Sequence, residues 1–582
     1  MEKISLKEFW EKLEKKIAGY SADELRSILR GMAEEMLPQQ RQIFLDKLKP
    51  RKESGDATQR PIRQDELLSD IDDFVSELSE AFEDAEPYRD DYYYDEYNSD
   101  EEDGGNPYEG FVEPLSVLFE RTDAAFDQSN FSLARDAYKK LFEAAEMEDE
   151  YGRGVNVADL PEVDAGESRA RYLRAVYEDT SLARRPKALL DLMQSVSLHF
   201  QSRAKIEDII QISPKPLPDE DAFFKNWIAF LTKRGGADVD EWLREAVRLS
   251  QGTSGLAELA RTEGVKRPRA YLDWFTALEK EGKHGEILVE AQKALQTLPP
   301  KLPIRAAVAD HLCAAATKLK ESQALRDGRW EAFIAQPTLS RLLDLRDSAS
   351  PEKQQQLMSD AASHLTDYLA HPPRRETLSF SNFLDGLESP ARVDQSELAH
   401  ACLLMGNWQA VHQRATKEQP LGWSNSGNLQ GLAVPFFLML LSGKMIGELP
   451  ASLSRLWRWG LETSIGSWGF DKSESLLIQR LERAYSEKVP SISLSMGEQN
   501  DLMAWCLETA TKRATAIVKD QHRGSYDKAA VVVAACAETL RLRGKDDQAE
   551  SVLAEIRNRF PRHRAFLAEL DTATQSAKGK RQ

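Results

Sequence analysis

The sequence predicts an all-α protein: an irregular α-solenoid of stacked helical hairpins with a small N-terminal helical unit. Three observations predict it. Apolar residues recur at i, i+3, i+4 and i+7 along most of the chain, the spacing that gathers them on one helix face. Short polar joints built on glycine or asparagine separate these stripes. Alternating apolar and polar runs bounded by turns, the signature of strands, are almost absent. The clearest unit lies near the C-terminus, where Tyr526, Ala529, Ala530, Val533, Ala537 and Leu540 precede Gly544, and Ala549, Val552, Leu553 and Ile556 follow it. Its alanines let two helices approach closely, Gly544 supplies the left-handed stop, and Asp546 or Asp547 can cap the second helix.

In chain order, residues 1–49 read as a small helical unit. Ser5-Leu6-Lys7-Glu8 and Ser21-Ala22-Asp23-Glu24 have the form of capping boxes, in which serine and glutamate satisfy opposing N–H groups at a helix start. Leu25, Ile28, Leu29, Met32 and Met36 form a stripe after the second box. Pro38 lets a third helix begin, carrying Ile43, Phe44 and Leu48, and three such helices are expected to close a small core. Residues 50–64 are a polar linker. Residues 65–85 form an acidic amphipathic helix whose Leu67, Leu68, Ile71, Val75, Leu78 and Phe82 should dock on another element. Residues 86–107 set tyrosines among carboxylates and are expected to be disordered, because like charges repel and aliphatic residues are missing. Residues 108–571 make the helical repeat body, and residues 572–582 a flexible basic tail.

The net charge of −19 is concentrated in one place. Between Asp65 and Asp103 stand eighteen acids and one base, Arg89, a local charge of −17 that leaves −2 for the other residues. The body therefore lacks the basic footprint of a nucleic-acid binder. The strip reads either as a solvated spacer or as an interaction segment in which Tyr92, Tyr93, Tyr94 and Tyr97 anchor a basic partner. The ordered ligands of an EF-hand loop are missing from it. A chain of 582 residues, 41% of them hydrophobic, can bury a large core. Its four cysteines show no CxxC spacing, which argues against a disulfide framework or a zinc site and fits a reducing cytoplasm. The chain opens on an amphipathic helix with no signal-like segment. Its longest apolar run, Leu432 to Leu441, is too short to span a bilayer, so neither export nor a membrane partner is expected.

The body repeats a hairpin without a fixed period. Asn130-Phe131-Ser132-Leu133-Ala134 followed by Tyr138, Leu141 and Phe142 resembles a tetratricopeptide hairpin, in which an aromatic after the turn and a small residue three positions on pack the two helices. Similar joints stand at Gly282-Lys283-His284, Gly406-Asn407-Trp408 and Gly544. The segment from Tyr526 to Asp571, ending Arg562-His563-Arg564-Ala565-Phe566-Leu567, is similar to the helical tail of some bacterial SWIM zinc-finger proteins. Those proteins carry a CxC…CxH motif, and this chain has none, so their metal-linked nucleic-acid binding does not carry over. The resemblance implies a stacked helical scaffold of bacterial type.

No motif for chemistry is complete. Gly443-Lys444 is followed by Met445 and lacks the first glycine of a phosphate loop. Gly422-Trp423-Ser424-Asn425-Ser426-Gly427 places its second glycine one residue too late for a nucleophile elbow, and no strand leads into it. The nine histidines form no HExxH or HxH pair, and His311 and His364 read as structural or surface residues. Two-acid hydrolysis leaves no distinctive spacing among ninety-six Asp and Glu. The expectation is a non-enzymatic scaffold or adaptor for a protein partner, with no cofactor and no metal. A nucleic-acid-associated regulator is the second reading, an unrecognised enzyme the third. Trp457, Trp459, Trp468 and Phe470 either line a peptide groove or pack the core. The bases between Arg557 and Arg581 could meet phosphate or the chain's own acidic strip.

Overall fold

The computed structural model describes residues 4–34, 64–85, 107–155, 160–161, 163–196, 203–373, 387–422, 427–465 and 472–575. Among them the chain is all-α, with twenty-five helices, no strand and a single isolated bridge between Glu148 and Gly154. The body expected over residues 108–571 divides. The chain forms two compact units, Met1–Leu259 and Ala260–Gln582.

The first unit contains α1 (Leu6–Ala18), α2 (Ala22–Glu34), α3 (Gln64–Glu83), α4 (Val112–Asp127), α5 (Phe131–Ala145), α6 (Ala165–Asp179), α7 (Arg185–Val196), α8 (Ile206–Gln211), α9 (Glu220–Thr232) and most of α10 (Ala237–Glu263). In α10, Gly252 at φ 60° and ψ −150° interrupts the helical path. From α4 to α7 each helix packs on the next in sequence. At the α4–α5 joint Ser129 turns the chain at φ 62°, Phe131 meets Phe126 edge-on at 5.5 Å, and Ala134 is fully buried. Helix α3 packs on α4 and α5 and buries Leu67, Ile71 and Leu78 of the expected stripe together with Phe74, which lay outside it, while Leu68, Val75 and Phe82 are half-buried. Ion pairs from Asp70 to Arg121 and from Asp72 to Lys140 flank that stripe.

Two buried arginines act as polar pins in this unit. Arg174 donates to the carbonyls of Ile209, Lys215 and Pro216 and pairs with Glu178; Arg185 donates to those of Tyr177, Thr180 and Pro218. A guanidinium can be buried when its donors find carbonyls, and these two hold the 213–219 loop on α6 and α7.

The second unit begins with a stack in which each helix packs on its successor: α11 (Arg269–Lys280), α12 (His284–Thr297), α13 (Arg305–Leu319), α14 (Ser322–Ala335), α15 (Leu339–Ser348), α16 (Pro351–Ala370) and α17 (Gln395–Met405). It continues through α18 (Trp408–Lys417), α19 (Gln430–Ser442), α20 (Ala451–Ser464), α21 (Lys472–Lys488), α22 (Met496–Lys519), α23 (Tyr526–Leu542), α24 (Asp546–Arg559) and α25 (Arg564–Gln575). Here the packing is no longer only sequential. Helix α23 contacts α19, α20, α22, α24 and α25, and every residue from Ala529 to Leu540 is buried. Its small side chains bring five neighbours close to one axis, and Gly544, at φ 72°, lies in the turn between α23 and α24.

Candidate interaction surface

The N-terminal helices depart from expectation in a way that exposes apolar surface. The Ser21 box forms, with Ser21 N–H donating to Glu24 Oε2 at 2.7 Å and Glu24 N–H to Ser21 Oγ at 3.3 Å. At the first start Glu8 N–H donates to Ser5 Oγ at 3.2 Å, while Glu8 itself turns to Lys12. Yet α1 buries no residue, and the stripes of both helices lie open: Trp10 is 40% exposed, Phe9 44%, Ile17 42%, Leu29 40% and Met32 48%. The expected three-helix core is therefore not closed by α1 and α2, and its third helix falls outside the described residues.

The N-terminal end of this region is anchored. Ser5 Oγ donates to Gln211 Oε1 at 2.9 Å, which ties the start of α1 to the end of α8. Beneath the contact is a cleft of about 320 Å³ between α1, α6 and α8, lined by Leu6, Asp164, Glu167, Arg169, Asp208 and Gln211 among others. Burial lowers the pKa of the Arg169 guanidinium and raises that of the Asp208 carboxyl, and the attraction between them opposes both shifts. Asp164 is committed to the start of α6, where it accepts from Glu167 N–H at 3.0 Å. The cleft is a seat for the start of α1, and the apolar stripes extend beyond it.

The residues singled out in the sequence do not come together. Tyr92, Tyr93, Tyr94, Tyr97, Trp468 and Phe470 lie outside the described residues. Trp457 is 1% exposed and packs edge-on to Tyr485 at 5.3 Å, so it belongs to the core and offers no surface to a peptide. Trp459 is half-buried beneath the Arg455 guanidinium, 4.4 Å from its ring centroid. The Phe436 to Met439 run is fully buried. Of the bases singled out between Arg557 and Arg581, Arg557 pairs with Asp571 and Arg559 with Glu555, and Lys578, Lys580 and Arg581 lie outside the described residues.

Several buried titratable groups hold structural bonds, whereas the buried Nε2 of His412 has no hydrogen-bond partner among the described residues. His400 accepts at Nδ1 from the Tyr485 hydroxyl at 2.7 Å and donates from Nε2 to Ser464 Oγ at 2.9 Å, and that hydroxyl donates to Leu461 O. Burial depresses the imidazole to about 4. Glu245 accepts from the N–H groups of Ile206 and Glu207, capping α8, and burial still raises its carboxyl to about 7. Glu538 does the same for α20 through Ser452 and Leu453. Sequence reasoning missed both carboxylates, although Glu538 stands out as the lone acid within the apolar face of α23. A second cleft, of about 210 Å³, holds Cys313, but Arg341 there is clamped by both oxygens of Asp310 and Arg329 donates to Asp344 O. Burial raises the Cys313 thiol to about 11, far from a reactive thiolate.

No family model and no curated protein matches the chain. The tetratricopeptide and SWIM resemblances thus rest on the residues quoted for them. Among the described residues, no cluster of His, Cys, Asp or Glu could hold a metal ion, and no helix is long and apolar enough to cross a membrane.

Proposed function

We propose that this protein is a non-enzymatic helical-repeat scaffold or adaptor of tetratricopeptide-like build, working in a reducing cytoplasm and holding a protein partner. The observation that carries the reading is the exposure of the α1 and α2 stripes, with the start of α1 tied to the end of α8. Contiguous exposed apolar side chains of this size mark interaction sites on folded proteins. Several buried polar groups, in contrast, are engaged in ion pairs and helix caps, among them Arg341, Glu245 and Glu538. A nucleic-acid-associated role would draw on the C-terminal bases, of which Arg557 and Arg559 are paired with carboxylates.

The test is affinity capture with the full chain and with a Trp10→Asp, Leu29→Asp variant, each checked for unchanged far-UV circular dichroism. A stoichiometric protein held by the first and lost by the second is the expected result. Equal recovery by both, or copurifying nucleic acid in place of protein, would overturn the reading.

A further inference from the structure

One lysine of the second unit is held where an amine is activated. Lys488 ends α21, and its side chain lies across the turn between α17 and α18. A Cβ on Gly406, at φ 95° in that turn, would stand 3.2 Å from Lys488 Cε and 3.3 Å from Nζ, so the missing side chain leaves the amine its place. Lys488 is half-buried, and among the described residues neither a carboxylate nor a carbonyl takes its ammonium protons. The acid next to it in sequence, Glu487, is turned to Arg346 at 2.6 Å and Arg483 at 3.5 Å. Arg346 also donates to Ala484 O at 3.4 Å, which fixes a second cation beside the last turn of α21.

The acids on the helices that pack against α21 are held elsewhere. Arg480 takes Asp344 and Asp347 of α15, with Arg346 sharing Asp347; Arg458 takes Glu462 of α20; Glu397 of α17 accepts from Asp394 N–H at the far end of that helix. The other titratable groups of α17 are His400, bonded to Tyr485 and Ser464, and the Cys402 thiol, which burial keeps protonated. Burial and, after it, the Arg346 charge therefore lower the pKa of the Lys488 ammonium.

A lysine is a nucleophile only as the neutral amine, and desolvation beside a second cation is what frees that amine of its proton. We propose that Lys488 is an acylation site, whose Nζ takes the acyl group of an activated carboxyl compound, an acyl phosphate or an acyl thioester. The amine lone pair attacks the carbonyl carbon and a C–N bond forms. The C–O bond to phosphate or the C–S bond to the thiol breaks, its electron pair leaves with phosphate or thiolate, and the extra proton of the amine passes to water. The product is a neutral amide. It removes one of two neighbouring positive charges, so the repulsion from Arg346 favours it. The inference stands apart from the reading of α1 and α2.

Mass spectrometry of the full chain incubated with acetyl phosphate or, separately, with acetyl-coenzyme A tests it, sampled over time and pH. At neutral pH Lys488 should be acetylated several-fold faster than exposed Lys318 and than Lys187 and Lys512, which pair with Asp191 and Glu508. Its rate should also level off at a lower pH than theirs, a signature that access alone does not produce. Glu487→Gln, which leaves the Arg346 charge less balanced, should raise the Lys488 rate. Asn407→Asp, which puts a carboxylate beside Gly406 and keeps the cap on Ala410 N–H, should lower it. Preferential labelling by one donor alone supports the site and names its source, and labelling by both supports it for activated acyl groups in general. Labelling no faster than at Lys318 with either donor, a pH profile shared with the other lysines, or a rate indifferent to both substitutions would each overturn the inference.

Discussion

Glu245 shows how a carboxylate can look functional and be structural. Its oxygens take two N–H groups at the start of α8, bonds that favour the charged form, yet burial outweighs them and holds the carboxyl near 7 against an ordinary 4.5. A carboxyl whose folded pKa stands above its unfolded value contributes stability that is complete below pH 4.5 and is lost as pH rises through about 7. Wild type should therefore lose on the order of 1–3 kcal/mol relative to Glu245→Gln between acid and neutral pH. Thermal melts of the two proteins at the two ends of that range measure it. A gap that does not move with pH would show that the carboxyl ionises as freely when folded as when unfolded. His400 is likewise held in place, its two ring nitrogens bonded to the Tyr485 and Ser464 hydroxyls and its imidazole depressed by burial to about 4.

Elements follow sequence where the cause is local, and depart from it where the cause is distant. The α23–α24 hairpin was legible because Gly544 and the alanine spacing determine it within thirty or so residues, and α3 because its stripe alone states which face must dock. The capping roles of Glu245 and Glu538 were not legible, since the N–H groups they satisfy lie 39 and 85 positions away. Nor was the fate of Trp457, whose neighbour Tyr485 arrives from another helix. The candidate surface was legible as two amphipathic helices, but their exposure was not, because a stripe does not say what covers it. Gly460 gives this scale a test. A Cβ there would stand 2.6 Å from Pro435 Cγ and 3.0 Å from Gly431 O, where α20 crosses α19 at close range. Gly460→Ala should destabilise the second unit by about 1–3 kcal/mol, the usual cost of overpacking. Chemical denaturation followed by tryptophan fluorescence would record it, and an unchanged midpoint would mean that the two helices separate without strain.

The whole chain places its chemistry and its exposed apolar surface apart. Glu245, Glu538, Arg174, Arg185 and His400 are bonded within the packed helices, while the α1 and α2 stripes remain open. A scaffold needs both properties: a body that keeps its shape without a ligand, and a face that loses water only on meeting a partner. Helix α3, the described part of the acidic strip, packs its apolar side on α4 and α5. Amide hydrogen exchange, compared between the dilute chain and the chain engaged with its partner, tests this account most directly. Peptides spanning residues 5–33 should slow on engagement, because burying the stripes suppresses local opening of α1 and α2. Protection that appears elsewhere, with exchange in residues 5–33 unchanged, would contradict the assignment of α1 and α2 as the binding surface.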